Sequence, residues 1–133
     1  MYLFDTDTIS NVLKKRPSPR LIKKLKKLHP KEQFISTITL SEIVYGAYKS
    51  HRPDFHIQNL KSVLLPAINI VGFDSKSAYV CGKVRASLEK KGLPVPWADL
   101  QIASITIANE FTLIAGNLKH FNRIPGLTVE NWL

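Results

Sequence analysis

The sequence predicts a single α/β domain around a largely parallel sheet of four to five strands. Three observations predict it. Short runs rich in β-branched and aromatic residues alternate with longer segments whose apolar residues recur at helical spacing. The 133 residues suit one domain, residues 1–133, with a real core and no linker, repeat or low-complexity tract. No apolar run reaches the roughly 18 residues of a membrane span.

The elements follow in order. Tyr2-Leu3-Phe4 reads as a buried strand that stops at Asp5-Thr6-Asp7-Thr8, a cluster of N-cap residues ahead of the helical stripe Ile9, Val12 and Leu13. Pro17-Ser18-Pro19 breaks the chain. Beyond it Leu21, Ile22, Leu25 and Leu28 repeat at helical spacing and leave Lys23, Lys24, Lys26 and Lys27 outside, an amphipathic basic helix. Residues 34–38 form a second strand, and a helix from Ser41 to Tyr48 carries Glu42 in its first turn. His51-Arg52-Pro53-Asp54 is a turn, residues 55–65 a helix, and residues 67–71 a third apolar strand. Asp74 is most simply the cap of a long helix reaching about Lys91. Residues 92–96 make a rigid connection into a helix entered through Trp97-Ala98-Asp99. Residues 111–115 form a fourth strand ending at Gly116-Asn117, and residues 127–129 a short fifth.

Composition narrows the function classes. The N-terminus has neither a basic leader region nor a cleavage site, so a cytosolic protein without membrane attachment is expected. Cys81 is the single cysteine, which excludes an internal disulfide and a cysteine zinc cluster and leaves it to pack as a small hydrophobe. The net charge is +9, and nine of the 19 lysines and arginines fall within residues 14–31, a window without an acid. Such a surplus favours polyanions. It equally suits a solvated helix face, and charge alone does not separate RNA, DNA, an acidic protein segment or a membrane surface.

Asp5, Glu42 and Asp99 stand out because each is placed where a strand gives way to a helix or at the entrance of a nearly all-apolar one. Asp99 alone would be explained by the helix dipole, worth about 0.3–1 kcal/mol. In parallel sheets, however, ligands collect beyond the carboxyl ends of the strands, where Asp5, Glu42 and Asn117 are all expected. Carboxylates converging there demand a counter-cation, and an all-oxygen pocket suits Mg²⁺ or Mn²⁺. With a basic surface, that describes a metal-dependent phosphodiesterase. Competing chemistries are weaker: the four histidines lack zinc spacing, and there is no glycine-rich phosphate loop or serine elbow.

Four blocks now carry a resemblance: Met1-Tyr2-Leu3-Phe4-Asp5-Thr6-Asp7, the run Ser36 to Gly46, Pro96-Trp97-Ala98-Asp99-Leu100-Gln101-Ile102-Ala103, and the run Asn117 to Leu127. In this order and spacing they resemble the VapC-type PIN-domain toxins, ribonucleases of toxin–antitoxin pairs. The resemblance implies a three-layer α/β/α domain whose acids hold Mg²⁺ or Mn²⁺ for RNA phosphodiester hydrolysis. It places the family's first three acids on Asp5, Glu42 and Asp99. At the fourth place Asn117 stands for the acid, Ala115 lacks a hydroxyl and His120 replaces a later acid. Asn117 contributes an amide oxygen without charge, so one firmly bound ion is expected. The resemblance also implies an RNA substrate, a cognate VapB-type antitoxin and a homodimer, with Ile43, Val44, Tyr45 and Tyr48 available for protein contacts or for the core. Lys23, Lys24, Lys26 and Lys27 are the candidate RNA contacts. A PIN-like module that binds RNA or protein without cutting, and a PIN nuclease of RNA processing, are the alternatives.

Overall fold

The computed structural model describes residues 1–133. Its strands are β1 (Tyr2–Phe4), β2 (Gln33–Ser36), β3 (Asn69–Val71), β4 (Thr112–Ile114) and β5 (Val129–Glu130). They form one sheet in the order β3-β2-β1-β4-β5, every pair parallel. The helices are α1 (Thr6–Val12), α2 (Pro19–Leu25), α3 (Thr37–Lys49), α4 (Pro53–Asn59), α5 (Ser75–Lys90), α6 (Trp97–Ala108) and the short α7 (Leu118–Phe121).

Strand alternation sorts the core into two layers. Leu3, Leu113 and Ala115 point to one face with Cys81, Val84 and Leu88 of α5 and Leu100, Ala103 and Ile105 of α6. Phe4, Ile35 and Ile114 point to the other with Ile9 of α1, Leu21 of α2, Leu60, Leu64 and Trp132. This is the expected three-layer α/β/α arrangement, and Cys81 is buried as a small hydrophobe. The indole of Trp132 closes the second layer, 5.1 Å from the Tyr2 ring and 5.9 Å from Phe4.

Some boundaries differ from those the sequence predicts, each for a local reason. Ser36 ends β2 by accepting the Thr39 amide at 3.0 Å, so α3 starts at Thr37 and not at Ser41. The cap overrides the strand preference of Thr37 and Ile38, and Glu42 falls in the second turn rather than the first. The basic helix is shorter than its periodicity suggests. It ends at Leu25, with Lys26 at the C-cap and Lys27 in the following turn. After α4 the helical path widens over Leu60–Leu64 and tightens over Leu65–Ala67, a turn that contains Pro66 and ends at Ile68. Asp74 caps α5 as expected: its Oδ1 accepts the amide and hydroxyl of Ser77, both at 2.9 Å, which hold the carboxyl below its usual value.

Both α5 and α6 end in paired closing bonds. Leu93 N–H reaches Leu88 O at 3.0 Å around Gly92, and Phe111 N–H reaches Thr106 O at 3.0 Å around Glu110. Each closure needs a left-handed residue. Gly92 (φ 66°) supplies it freely, but Glu110 (φ 56°) carries a side chain there. Glu110→Gly is therefore expected to stabilise the fold by about 0.5–1 kcal/mol, seen as a higher urea midpoint with an unchanged slope.

Candidate functional site

The sheet order reverses between β1 and β4, because the chain moves outward from β1 through β2 to β3 and then returns to the other side. The crevice beyond the carboxyl ends of those two strands is the place where such sheets bind ligands. Asp5 is the first residue past β1. Its amide donates to Ile114 O at 3.0 Å, and its Oδ1 caps α1 by accepting the Thr8 amide at 2.8 Å. The side chain is buried, and loss of water pushes its carboxyl up from 3.8 to about 6 against the lowering effect of the Thr8 amide, with Asp7 and Asp99 adding repulsion.

Asp99 enters from the opposite layer in the first turn of α6. No side chain caps that helix, so Asp99 is not there to satisfy backbone amides. Its Oδ2 instead stands 3.2 Å from Nδ1 of His120 on α7. An ionised carboxylate only accepts, so in this contact Nδ1 is the donor in the tautomer that protonates it. His120 thus orients Asp99, a role that sequence spacing did not reveal because 21 residues separate them.

Glu42 is exposed on α3 and reaches the rim through Thr6, whose hydroxyl donates to its Oε1 at 2.7 Å. The same Thr6 hydroxyl lies 3.2 Å from Thr39 Oγ1. Thr6 is the residue after Asp5, so one hydroxyl joins the Glu42 helix to the Asp5 turn. Sequence reading passed over it as one member of the cap cluster. Asn117 caps α7, its Oδ1 accepting the Lys119 amide at 3.1 Å. That cap is the sequence signal for α7. Exposed Asp7 packs beside Gly116, whose missing side chain would lie 3.7 Å from Asp7 Cβ.

Asp5 and Asp99 therefore share one crevice and repel each other, and Glu42 adjoins it through Thr6. As the side chains stand, no three His, Cys, Asp or Glu groups are gathered within reach of one ion. The donor set nevertheless fits a hard cation. All three acids offer oxygen, the ion pairs in the fold are Arg85–Glu89 and His120–Asp99, so no lysine or arginine neutralises the acids, and buried Asp5 stays uncompensated. None of the three surface clefts is lined by Asp5, Glu42 or Asp99.

Of the basic residues, Lys23, Lys26 and Lys27 are exposed, whereas Lys24 Nζ lies 5.2 Å from the centre of the Trp132 ring. Lys24 is thus partly committed to the fold. Ile43 and Val44 pack against the second core layer, and Tyr45 and Tyr48 are exposed.

Residues 2–127 match the PIN domain family. The chain is 31% identical over 131 residues to the tRNA(fMet)-specific endonuclease VapC of Salmonella typhimurium, covering 98% of this chain and 97% of that protein. The chain belongs to the VapC family of PIN-domain proteins. Ribonuclease VapC2 of Rickettsia felis is 41% identical over 98 residues, 74% of this chain and 72% of that one. The solved structure of VapBC2 from Rickettsia felis, bound to a DNA fragment from their promoter, superposes with a TM-score of 0.91 at 34% identity, covering 99% and 98% of the two chains. In this VapC-family fold the crevice between β1 and β4 is where the chain places Asp5 and Asp99. No helix of the structure is long and apolar enough to cross a membrane.

Proposed function

We propose that the protein is the toxin of a VapBC-type pair, an endoribonuclease that hydrolyses RNA phosphodiester bonds with Mg²⁺ or Mn²⁺ held by Asp5 and Asp99, completed by Glu42 and assisted by Asn117. The observation that carries the reading is the burial of Asp5 beside Asp99 without a counter-cation, at the switch point of a parallel sheet. The relatives' names support RNA as substrate, and the joint VapBC2 structure supports an antitoxin of the VapB type as partner. A bound divalent ion supplies a nucleophilic water and neutralises charge on the phosphate. The chain's own residues do the rest. Thr8 fixes one Asp5 oxygen, His120 turns Asp99 toward the crevice, and Thr6 restrains Glu42. A homodimer and a cytoplasmic location belong to the same proposal.

The test is cleavage of a short unstructured RNA by purified protein in Mn²⁺, Mg²⁺ or EDTA. Cleavage lost in EDTA and restored by either ion is expected; undiminished cleavage in EDTA would overturn the metal-dependent reading. Growth arrest on expression, relieved by the adjacent small gene, is the outcome expected of a toxin.

The basic segment supplies phosphate contacts. Each lysine withdrawn from a single strand removes about 0.7 from the slope of log affinity against log salt. Replacing Lys23, Lys26 and Lys27 by Gln is therefore expected to lower that slope by about 2 and to weaken RNA binding about tenfold at moderate salt. Lys24→Gln is expected to change binding little, because its ammonium is held over Trp132. Fluorescence anisotropy over a salt series measures both effects.

A further inference from the structure

The first turn of α6 carries two features. Asp99 faces the crevice, and Trp97, two residues earlier, is 52% exposed at the mouth of a separate cleft of about 280 Å³. The cleft is floored by Leu88, Leu93 and Leu100 and rimmed by Pro94, Trp97 and Arg85. Leaving half an indole in water rather than in the core is a cost that packing does not explain. Nor is the surround a plain apolar patch. The Arg85 guanidinium lies 5.4 Å from the indole centre, and its partner Glu89, at 3.2 Å, forms an ion pair so exposed that it contributes little. The guanidinium is thus free to exchange partners.

Contacts tie this cleft to the acid crevice. Arg123 Nη1 donates to Pro94 O on its rim, and Arg123 follows α7 directly, the helix whose His120 touches Asp99. One short segment touches both sites. The cleft's volume is near the lower end for small-ligand sites, which suits one planar ring rather than a cofactor.

Resting on the nuclease reading, we infer that Trp97 and Arg85 form a nucleobase subsite, stacking an unpaired base of the RNA next to the phosphodiester presented to Asp5 and Asp99. Every base has a π face, so an indole grips single-stranded RNA without demanding a sequence, and a mobile guanidinium adds a contact to the base or an adjoining phosphate. The +9 charge of the chain favours this occupant over a cationic or neutral peptide.

The experiment uses the full chain carrying Asp5→Asn, so that RNA is bound and not cut, with a fluorescently labelled unstructured RNA decamer as probe. Trp132 is buried, so quenching of accessible tryptophan emission reports Trp97. Quenching is expected to follow the anisotropy titration. Adding Trp97→Ala is expected to weaken binding about 5- to 150-fold, the span given by one lost base–aromatic stack, whereas Trp97→Phe retains most of the affinity. Equal affinity in all three proteins, or equal loss in the Ala and Phe variants, would overturn the subsite. A change of oligomeric state in Trp97→Ala at unchanged RNA affinity would assign the face to a second copy of the chain and also overturn it. Cleavage by the unmutated protein is assayed alongside. If it cuts RNA while Trp97 proves silent, the subsite alone fails; if it neither cuts nor binds RNA, the nuclease reading fails and the subsite with it.

Discussion

Asp5→Asn is expected to lower RNA cleavage by about three orders of magnitude while making the metal-free protein more stable at neutral pH. The first effect follows from removing a charged ligand of an ion whose stabilisation of the reaction is worth several kcal/mol. The second follows from burial. The folded state holds the Asp5 proton up to about 6, against 3.8 as the ordinary value, so the folded protein binds protons more tightly than the unfolded chain. The stability this lends is complete below the unfolded value and is lost as pH rises through the folded one. Above that window the ionised carboxylate costs the fold about 3 kcal/mol, part of which an amide recovers. Asn keeps the oxygen that accepts the Thr8 amide but buries an N–H₂ group, leaving a net gain of about 1–2 kcal/mol. Thermal melts in EDTA at pH 8 and pH 4 check it. The variant should melt higher at pH 8 and the gap should close at pH 4. An unchanged gap across that range would show that Asp5 does not carry the strain.

Such an effect separates a ligand from a cap, which the sequence by itself does not do. Asp5 and Asp74 look alike there, each an acid between an apolar strand and a helix. Both accept the amide three residues on. They differ only in surroundings: Asp74 is exposed and held low by Ser77, while Asp5 is buried and pushed up. The strand and helix order was legible because burial on both faces makes β1 and β4 continuous apolar runs, while one-sided burial imposes helical spacing on α1, α2 and α5. The start of α3 was not, because one hydroxyl bond from Ser36 outweighs three β-branched residues. The expectation that Asp5, Glu42 and Asn117 gather beyond the strand ends follows from chain order in a parallel sheet. Partnerships across the chain, Thr6 with Glu42 and His120 with Asp99, depend on where α3 and α7 dock and leave no periodic trace. Trp97 likewise reads as part of an apolar helix start until its exposure is seen.

Metal titration of the unmutated protein is expected to give one tight divalent ion and a large thermal shift. An ion at about 100 times its dissociation constant stabilises the state that binds it by ~2.7 kcal/mol, roughly 10 °C for a domain of this size. Here the gain has a specific source. Asp5 and Asp99 repel each other across the crevice, and an ion turns that repulsion into attraction without disturbing the Thr8 or His120 bonds. Asp99→Asn should therefore abolish most of the shift, and Glu42→Gln should reduce it less, since Glu42 is exposed and restrained only by Thr6. Asn117 decides the number of ions. Its side chain contributes no charge and its Oδ1 is already engaged by the Lys119 amide, so a second cation lacks an anionic ligand. Asn117→Asp keeps that cap, which favours a carboxylate at a helix start, and adds the missing charge. Calorimetry with Mn²⁺ is expected to show tighter binding, by about tenfold or more, or a second ion in Asn117→Asp. Two ions in the unmutated protein, or no thermal shift at millimolar Mn²⁺, would contradict the assignment of these residues.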